Sequence, residues 1–157
     1  MIENVPDIDE NIDVEKVLSN LSQQYPQMYL DYPLVYEDFE YGYLNGMNSY
    51  EFKFASYLVS DKNLLVFREP KIDSCLHIPD FYIFNTLSNR GKLVELTLYD
   101  SNFTGCRDGK RSYQEIKKSI RRKQEQIDEI KRCGIPYVIL YREHLENVRR
   151  ECITGLF

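Results

Sequence analysis

Two acidic residues are spaced so that their side chains would meet on neighbouring strands. Glu95 lies in the middle of an alternating segment, 92–99, whose apolar residues indicate a strand in a sheet core. Asp80 lies near the start of the preceding apolar segment, 79–84, and a hairpin between the two would place it beside Glu95 on the same face. Two carboxylates in a mostly apolar sheet are costly unless a metal ion or a cationic partner stabilises them.

The chemistry that this pair favours is the binding of a hard divalent cation. Carboxylate oxygens are the ligands of Mg²⁺ and Mn²⁺, so we predict one of these ions between Asp80 and Glu95. Glu51, in the preceding predicted helix, is available as a third oxygen donor. The two histidines cannot supply a multi-histidine site, and the four cysteines are too far apart in the sequence for a zinc knuckle.

Each acidic residue also has a purely structural interpretation. A single glutamate in mid-strand is commonly ion-paired or at a sheet edge, and Pro79-Asp80 alone is a turn signal. Glu51 stands at the capping-box position after Asn48 and could serve only there. The spacing of Asp80 and Glu95, rather than either residue alone, favours a site.

Capping signals and hydrophobic periodicity predict the elements that position these residues. Ser112 and Glu115 form a capping box for a long helix with an isoleucine stripe, and Gly134 is its expected end. In chain order we predict a short helix after Asp13, an irregular segment over 25–47, a helix over 48–60, strands over 64–67, 79–84 and 92–99, the long helix, a strand over 137–141 buried on both faces, and a last short helix with Leu145 and Val148. This order predicts an α/β fold with a mixed central β-sheet flanked by helices.

Composition and charge limit the class of protein. The 157 residues are 43% apolar, with no apolar run long enough to span a membrane and no signal peptide, so we expect a soluble, cytoplasmic protein without a membrane partner. Residues 1–48 carry ten acidic residues against one lysine, whereas residues 105–150 carry thirteen lysines and arginines against seven acids. We therefore predict an acidic N-terminal extension with one short helix over 1–47, and a core domain over 48–157 whose basic half meets phosphates.

The motifs together resemble those of the PD-(D/E)xK nuclease superfamily, which includes restriction enzymes, Holliday junction resolvases and transposase-associated nucleases. The residues that carry the resemblance are Glu51, Ile78-Pro79-Asp80-Phe81, Val94-Glu95-Leu96-Thr97, and the long helix followed by Gly134-Ile135-Pro136-Tyr137. It extends over about residues 48–150 and includes the order of elements. It implies a restriction-endonuclease-like core.

The resemblance also implies a role for each matching residue. Asp80 and Glu95 would be metal ligands, and Glu51 would assist through a metal-bound water. Thr97 departs from the pattern, because the family usually has lysine at that position. A form of the motif with lysine supplied by the following helix resembles the cap-snatching endonucleases of segmented RNA viruses, and we predict Lys117 for that role here.

The same predicted helix carries the candidate residues for nucleic-acid binding, which are Lys118, Arg121, Arg122, Lys123 and Gln124. Lys118 and Lys123 are also alternative sources of the missing lysine. A basic helix face of this kind meets phosphates or is simply solvated, and both interpretations remain open.

The predicted function is that of a Mg²⁺- or Mn²⁺-dependent endonuclease that hydrolyses phosphodiester bonds in DNA, with DNA favoured over RNA. A homodimer is expected, because many nucleases that this chain resembles cut two strands as dimers. A second interpretation is a degenerate nuclease fold that binds nucleic acid or a protein without catalysis, and Thr97 favours it. A third is a structural or inhibitory protein that acts through its acidic N-terminal segment.

Overall fold

The computed structural model describes residues 12–40, 44–104, 112–146 and 153–157. The helices in these ranges are α1 (Val14–Gln24), α2 (Tyr36–Glu40), α3 (Ser49–Val59), α4 (Tyr113–Arg132) and α5 (Arg142–Glu146). The strands are β1 (Met28–Tyr29), β2 (Leu64–Arg68), β3 (Lys71–Ile72), β4 (Phe81–Asn85), β5 (Arg90–Leu96) and β6 (Tyr137–Leu140). None of the helices in the described ranges has both the length and the apolar character needed to cross a bilayer.

A mixed four-stranded sheet forms the centre of the fold, in the order β2-β4-β5-β6. The strands β2, β4 and β5 form an antiparallel meander, and β6 lies parallel to β5. Helix α4 lies between β5 and β6 in the chain, as a parallel pair requires. The predicted α/β architecture with a mixed sheet is therefore confirmed. The short strands β1 and β3 form a separate antiparallel pair.

The three longer helices begin at the predicted N-caps. These are Asp13, Asn48 and Ser112, and each side chain accepts a hydrogen bond from the backbone N–H three residues further on. Helix α4 ends just before Gly134, whose φ of +80° is a conformation that glycine adopts without strain.

Apolar side chains cover both faces of the sheet. On one face, α3 and α5 contribute Phe54, Leu58 and Leu145 to a cluster with Ile83 and Val94. We call this the α3-side cluster. On the other face, which we call the α4-side cluster, the buried residues are Leu21, Met28, Leu65, Phe67, Ile72, Tyr82, Phe84, Leu93, Ile130 and Ile135. Leu93 and Glu95 share this second face, so Glu95 points toward the side that α4 covers.

Tyr82 closely approaches Gly91 in the hairpin formed by β4 and β5. The ring of buried Tyr82 lies so close to the Gly91 backbone that a Cβ atom there would overlap the ring. The observed register pairs Phe81 with Val94, which places Asp80 next to Glu95 as predicted. A slip of one residue would turn the side chains to the opposite face, so the juxtaposition of Asp80 and Glu95 depends on this register.

Two parts of the sheet and its surroundings differ from the predictions. The segment 25–47 contains α2 and β1, rather than being wholly irregular. Among the described strands, β6 pairs only with β5 and so forms an edge of the sheet. Its Tyr137 is 41% exposed, so the prediction of a strand buried on both faces was wrong. Val148, assigned to the last helix, lies outside the described residues.

The acidic N-terminal segment contributes to the folded body. Leu21 of α1 and Met28 of β1 are buried in the α4-side cluster, and Ile12 packs against it. The described part of 1–47 thus holds two helices and one strand, where one short helix was expected. Residues 1–11, which carry four of the acids, lie outside the described ranges.

Candidate functional site

Asp80 and Glu95 lie side by side at the end of the hairpin. Asp80 immediately precedes β4, and its Oδ2 accepts a hydrogen bond of 2.7 Å from the backbone N–H of Leu96. Glu95 in β5 is only 1% exposed. The two carboxyl groups are close enough to share a hydrogen bond, which requires a proton between them when no cation is present.

Burial and mutual repulsion disfavour the charged form of this pair. The pKa of Asp80 is raised to about 8, first by burial and then by the hydrogen bond and the negative charge of Glu95. Burial also raises the pKa of Glu95. Near neutral pH, Asp80 therefore keeps its proton in the absence of a cation, and a divalent cation would displace it.

Lys123 of α4 is the lysine that reaches the carboxyl pair. Its Nζ lies 3.6 Å from Glu95 Oε1, and its side chain is only 17% exposed. Its charge lowers the pKa of both Asp80 and Glu95, against the larger effect of burial. Lys117, the residue predicted for this role, is instead exposed near the start of α4, with its Nζ 5.1 Å from the Tyr113 ring centroid.

His77 is a site residue that the sequence interpretation missed. Its Nε2 contacts Glu95 Oε2, so the imidazole and Lys123 approach the same carboxyl group from different elements. Burial, followed by the charge of Lys123, lowers the pKa of His77 and favours the neutral imidazole. The sequence does carry one signal, the position of His77 three residues before Asp80. Two histidines cannot form a multi-histidine site, so counting histidines does not reveal this residue.

Glu129 fixes the loop that carries His77. Its Oε2 accepts a hydrogen bond of 3.0 Å from the backbone N–H of His77, and the thiol of Cys75 donates to the same oxygen at 3.7 Å. Cys75 Sγ also lies 3.0 Å from the carbonyl oxygen of His77. Helix α4 therefore holds both Lys123 and the His77 loop in place beside Glu95.

Glu51 caps a helix and also lies near the carboxyl pair. Its backbone N–H donates to the Asn48 side chain at 2.9 Å, and its Oε1 accepts from Asn48 Nδ2 at 3.0 Å, which completes the N-terminal cap of α3. Burial, and then the charge of Asp80, raise the pKa of Glu51. Glu51 thus caps a helix and also contributes negative potential at Asp80.

Thr97 is buried beside the site and its groups already have backbone partners. Its N–H donates to the carbonyl of Leu140 at 2.9 Å, and its hydroxyl oxygen accepts from the N–H of Tyr99 at 3.2 Å. The side chain is 3% exposed. Through these contacts, Thr97 connects the chain that follows β5 to the end of β6.

The residues predicted to bind nucleic acid divide into two groups on α4. Lys118, Arg121, Arg122 and Gln124 are exposed, where a phosphate backbone can approach them. Lys123 is instead turned inward to Glu95. One helix thus carries both an inward cation and an outward basic surface.

The two carboxylates fit a hard divalent cation. Within residues 12–40, 44–104, 112–146 and 153–157, no three histidine, cysteine, aspartate or glutamate side chains form a ready-made metal site. Mg²⁺, however, usually takes one or two protein carboxylates and completes its shell with water and substrate phosphate oxygens. Asp80 and Glu95 meet that requirement, with Glu51 as a further nearby carboxylate.

Comparison with the sequence profiles of known protein families, with curated proteins and with solved structures gives no match. The assignment of a function therefore depends on the geometry of the site itself.

Proposed function

We propose that this chain is a metal-dependent endonuclease with a restriction-endonuclease-like core that hydrolyses phosphodiester bonds in DNA. The observation that carries the proposal is the convergence of Asp80, Glu95 and Lys123, two carboxyl groups and one ammonium group, at the end of the hairpin. Two carboxylates and a lysine are the groups that the PD-(D/E)xK motif combines, although the lysine here comes from α4. The antiparallel meander followed by a helix and a parallel strand supports the same proposal.

Each residue of the cluster has a distinct role in this reaction. Asp80 and Glu95 hold Mg²⁺ or Mn²⁺, which when bound lowers the pKa of the attacking water and offsets charge on the phosphate. Lys123 supplies fixed positive charge beside Glu95, where negative charge develops in the transition state. His77 orients the Glu95 carboxylate from its second oxygen.

The exposed part of α4 provides the contacts that bring the substrate to the site. Lys118 and Arg121 attract the phosphate backbone without reading its sequence. DNA is the proposed substrate, and a homodimer that cuts both strands remains a prediction.

The experiment that tests the proposal is cleavage of labelled duplex, junction and single-stranded DNA with Mn²⁺, with and without EDTA. Asp80→Asn and Glu95→Gln should each lower the EDTA-sensitive rate by roughly 10²-fold or more, since each removes a ligand. Asp128→Asn, at an exposed position of α4, is the matched control and should cleave like the wild type. Wild-type activity in both site variants would place the chemistry elsewhere.

A second candidate is a degenerate nuclease fold that binds nucleic acid without cutting it. The observation in its favour is Thr97, whose position in the motif normally holds lysine and whose hydroxyl is used by Tyr99. Salt-dependent binding by a wild-type protein that cleaves none of these substrates with Mg²⁺ or Mn²⁺ would establish this alternative.

A further inference from the structure

A groove with a volume of about 560 Å³ lies on the outer side of His77, between the loop before β4 and one face of α4. Leu76 and Ile78 form its apolar wall, and the α4 wall is formed by Arg122, Glu125, Gln126 and Glu129. These four α4 residues are spaced by three and four positions and so share one helix face. His77 lines the groove and also contacts Glu95, so this one residue connects the groove with the carboxyl pair.

The apolar wall is unusually exposed for residues so near a polar site. Leu76 is 95% exposed and Ile78 is 44% exposed. The loop that presents them is fixed at Cys75 and at His77 by their hydrogen bonds to Glu129. The anchored loop thus exposes two aliphatic side chains to solvent, where they can pack against a flat apolar group of a ligand.

The charges of the groove do not suit a phosphate group. Among the described residues that line it, Arg122 is the one cation, against the carboxylates of Glu125 and Glu129, so these residues carry a formal charge of −1. Gln126 adds an amide that both donates and accepts hydrogen bonds. The groove therefore favours a neutral group with an apolar face and a hydrogen-bonding edge, and its volume is within the range of small-molecule sites.

We infer that this groove holds an unpaired nucleobase of the nucleotide next to the scissile phosphate. The inference rests on the proposed function, since it takes the occupant to be the substrate of the Asp80–Glu95 site. The base lies against Leu76 and Ile78, and its edge meets Arg122, Glu125 and Gln126, while its phosphate lies toward the carboxyl pair. A base inside a duplex cannot enter the groove, so the substrate class is DNA with an unpaired nucleotide at the cut.

The test combines base removal in the DNA with removal of the leucine side chain. A series of single-stranded oligonucleotides, each with one abasic position, is bound in EDTA by fluorescence anisotropy and cleaved with Mn²⁺ in single turnover. In the wild type, one position should lose roughly fivefold to tenfold in affinity when its base is absent, because the apolar contact of the base is lost. In Leu76→Ala that penalty should vanish, since the leucine side chain that the base contacts is absent.

Leu87→Ala is the matched control, since Leu87 is 77% exposed in the turn at the opposite end of the hairpin. This variant should keep the wild-type penalty. Equal affinity for every abasic oligonucleotide, or an unchanged penalty in Leu76→Ala, would overturn the inference. The binding measured in EDTA separates this result from the proposed function. Cleavage without a base-sensitive position overturns the inference alone. A base-sensitive position without cleavage overturns the proposed function, and with it the placement of the base next to a scissile phosphate, and leaves only a groove that binds a base.

Discussion

Lys123 of α4 forms an ion pair with Glu95 of β5, with the Nζ 3.6 Å from Oε1. Both side chains are largely withdrawn from solvent, so the pair is screened less than a surface ion pair. The lysine that the motif lacks at Thr97 thus has a counterpart that comes from another element and reaches the same carboxylate.

Lys123→Ala should lower the single-turnover cleavage rate by roughly 10²-fold and leave DNA affinity nearly unchanged, because it removes charge that acts mainly in the transition state. Lys117→Ala is the matched control, since Lys117 is exposed and lies over the Tyr113 ring. It should retain the wild-type rate. Equal losses in both variants, or losses confined to affinity, would contradict a transition-state role for Lys123.

The difference between Lys117 and Lys123 shows what the sequence could and could not predict. Both residues lie beside the isoleucine stripe, and the sequence favoured the half of the helix nearer to β5 in the chain. In the structure, the C-terminal half of α4 is the more deeply buried half: Ile127 and Ile130 are buried, whereas Ile116 is only partly buried. The depth of each turn of α4 depends on the sheet surface below it, which hydrophobic periodicity does not specify.

The Asp80–Glu95 pair was predictable because it depends on local rules. Strand alternation and hairpin symmetry determine which residues face each other, and the observed register agrees with that prediction. His77 was not predictable in this way. Its position depends on Glu129, which is 52 residues away in the chain and holds the loop through a backbone hydrogen bond.

Deleting residues 1–11 should tighten DNA binding at low salt, because it removes four acidic residues while keeping Ile12 and the Asp13 cap of α1. The gain should shrink as salt rises, since the effect is electrostatic. Anisotropy across a salt series measures it. Neutralising the same four acids, Glu3, Asp7, Asp9 and Glu10, in the full-length chain should reproduce the gain, and an unchanged affinity would refute charge shielding by this segment.

Gly91→Ala should destabilise the fold by roughly 1–3 kcal/mol, because the added Cβ overlaps the buried ring of Tyr82. Tyr82→Leu removes the ring atoms that this Cβ would overlap, so the double variant should be more stable than the sum of the two single losses predicts. Chemical denaturation measures all three variants. Strictly additive losses would show that the Tyr82 ring does not set this requirement for glycine.

The charge state of Asp80 predicts how the stability of the metal-free protein depends on pH. Its folded pKa is raised to about 8 from a usual value of 3.8, so between these values the folded state holds a proton that the unfolded state has released. The free energy of unfolding should therefore fall as pH rises, by up to about 1.4 kcal/mol per pH unit, and level off above pH 8. The raised pKa values of Glu95 and Glu51 act in the same direction, whereas the lowered pKa of His77 acts oppositely below about pH 6.5.

In the window from pH 6.5 to 8, the lowered pKa of His77 no longer opposes the effect of Asp80, and urea denaturation in EDTA measures the slope there. Asp80→Asn should reduce that slope and make the metal-free protein more stable at pH 8, because an amide is neutral at every pH in the window. Added Mg²⁺ or Mn²⁺ should stabilise the wild type more at pH 8 than at pH 6.5, since the ion replaces a proton that is already weakly held at the higher pH. A flat profile in the wild type, or the same profile in Asp80→Asn, would show that the carboxyl pair is not the titrating group.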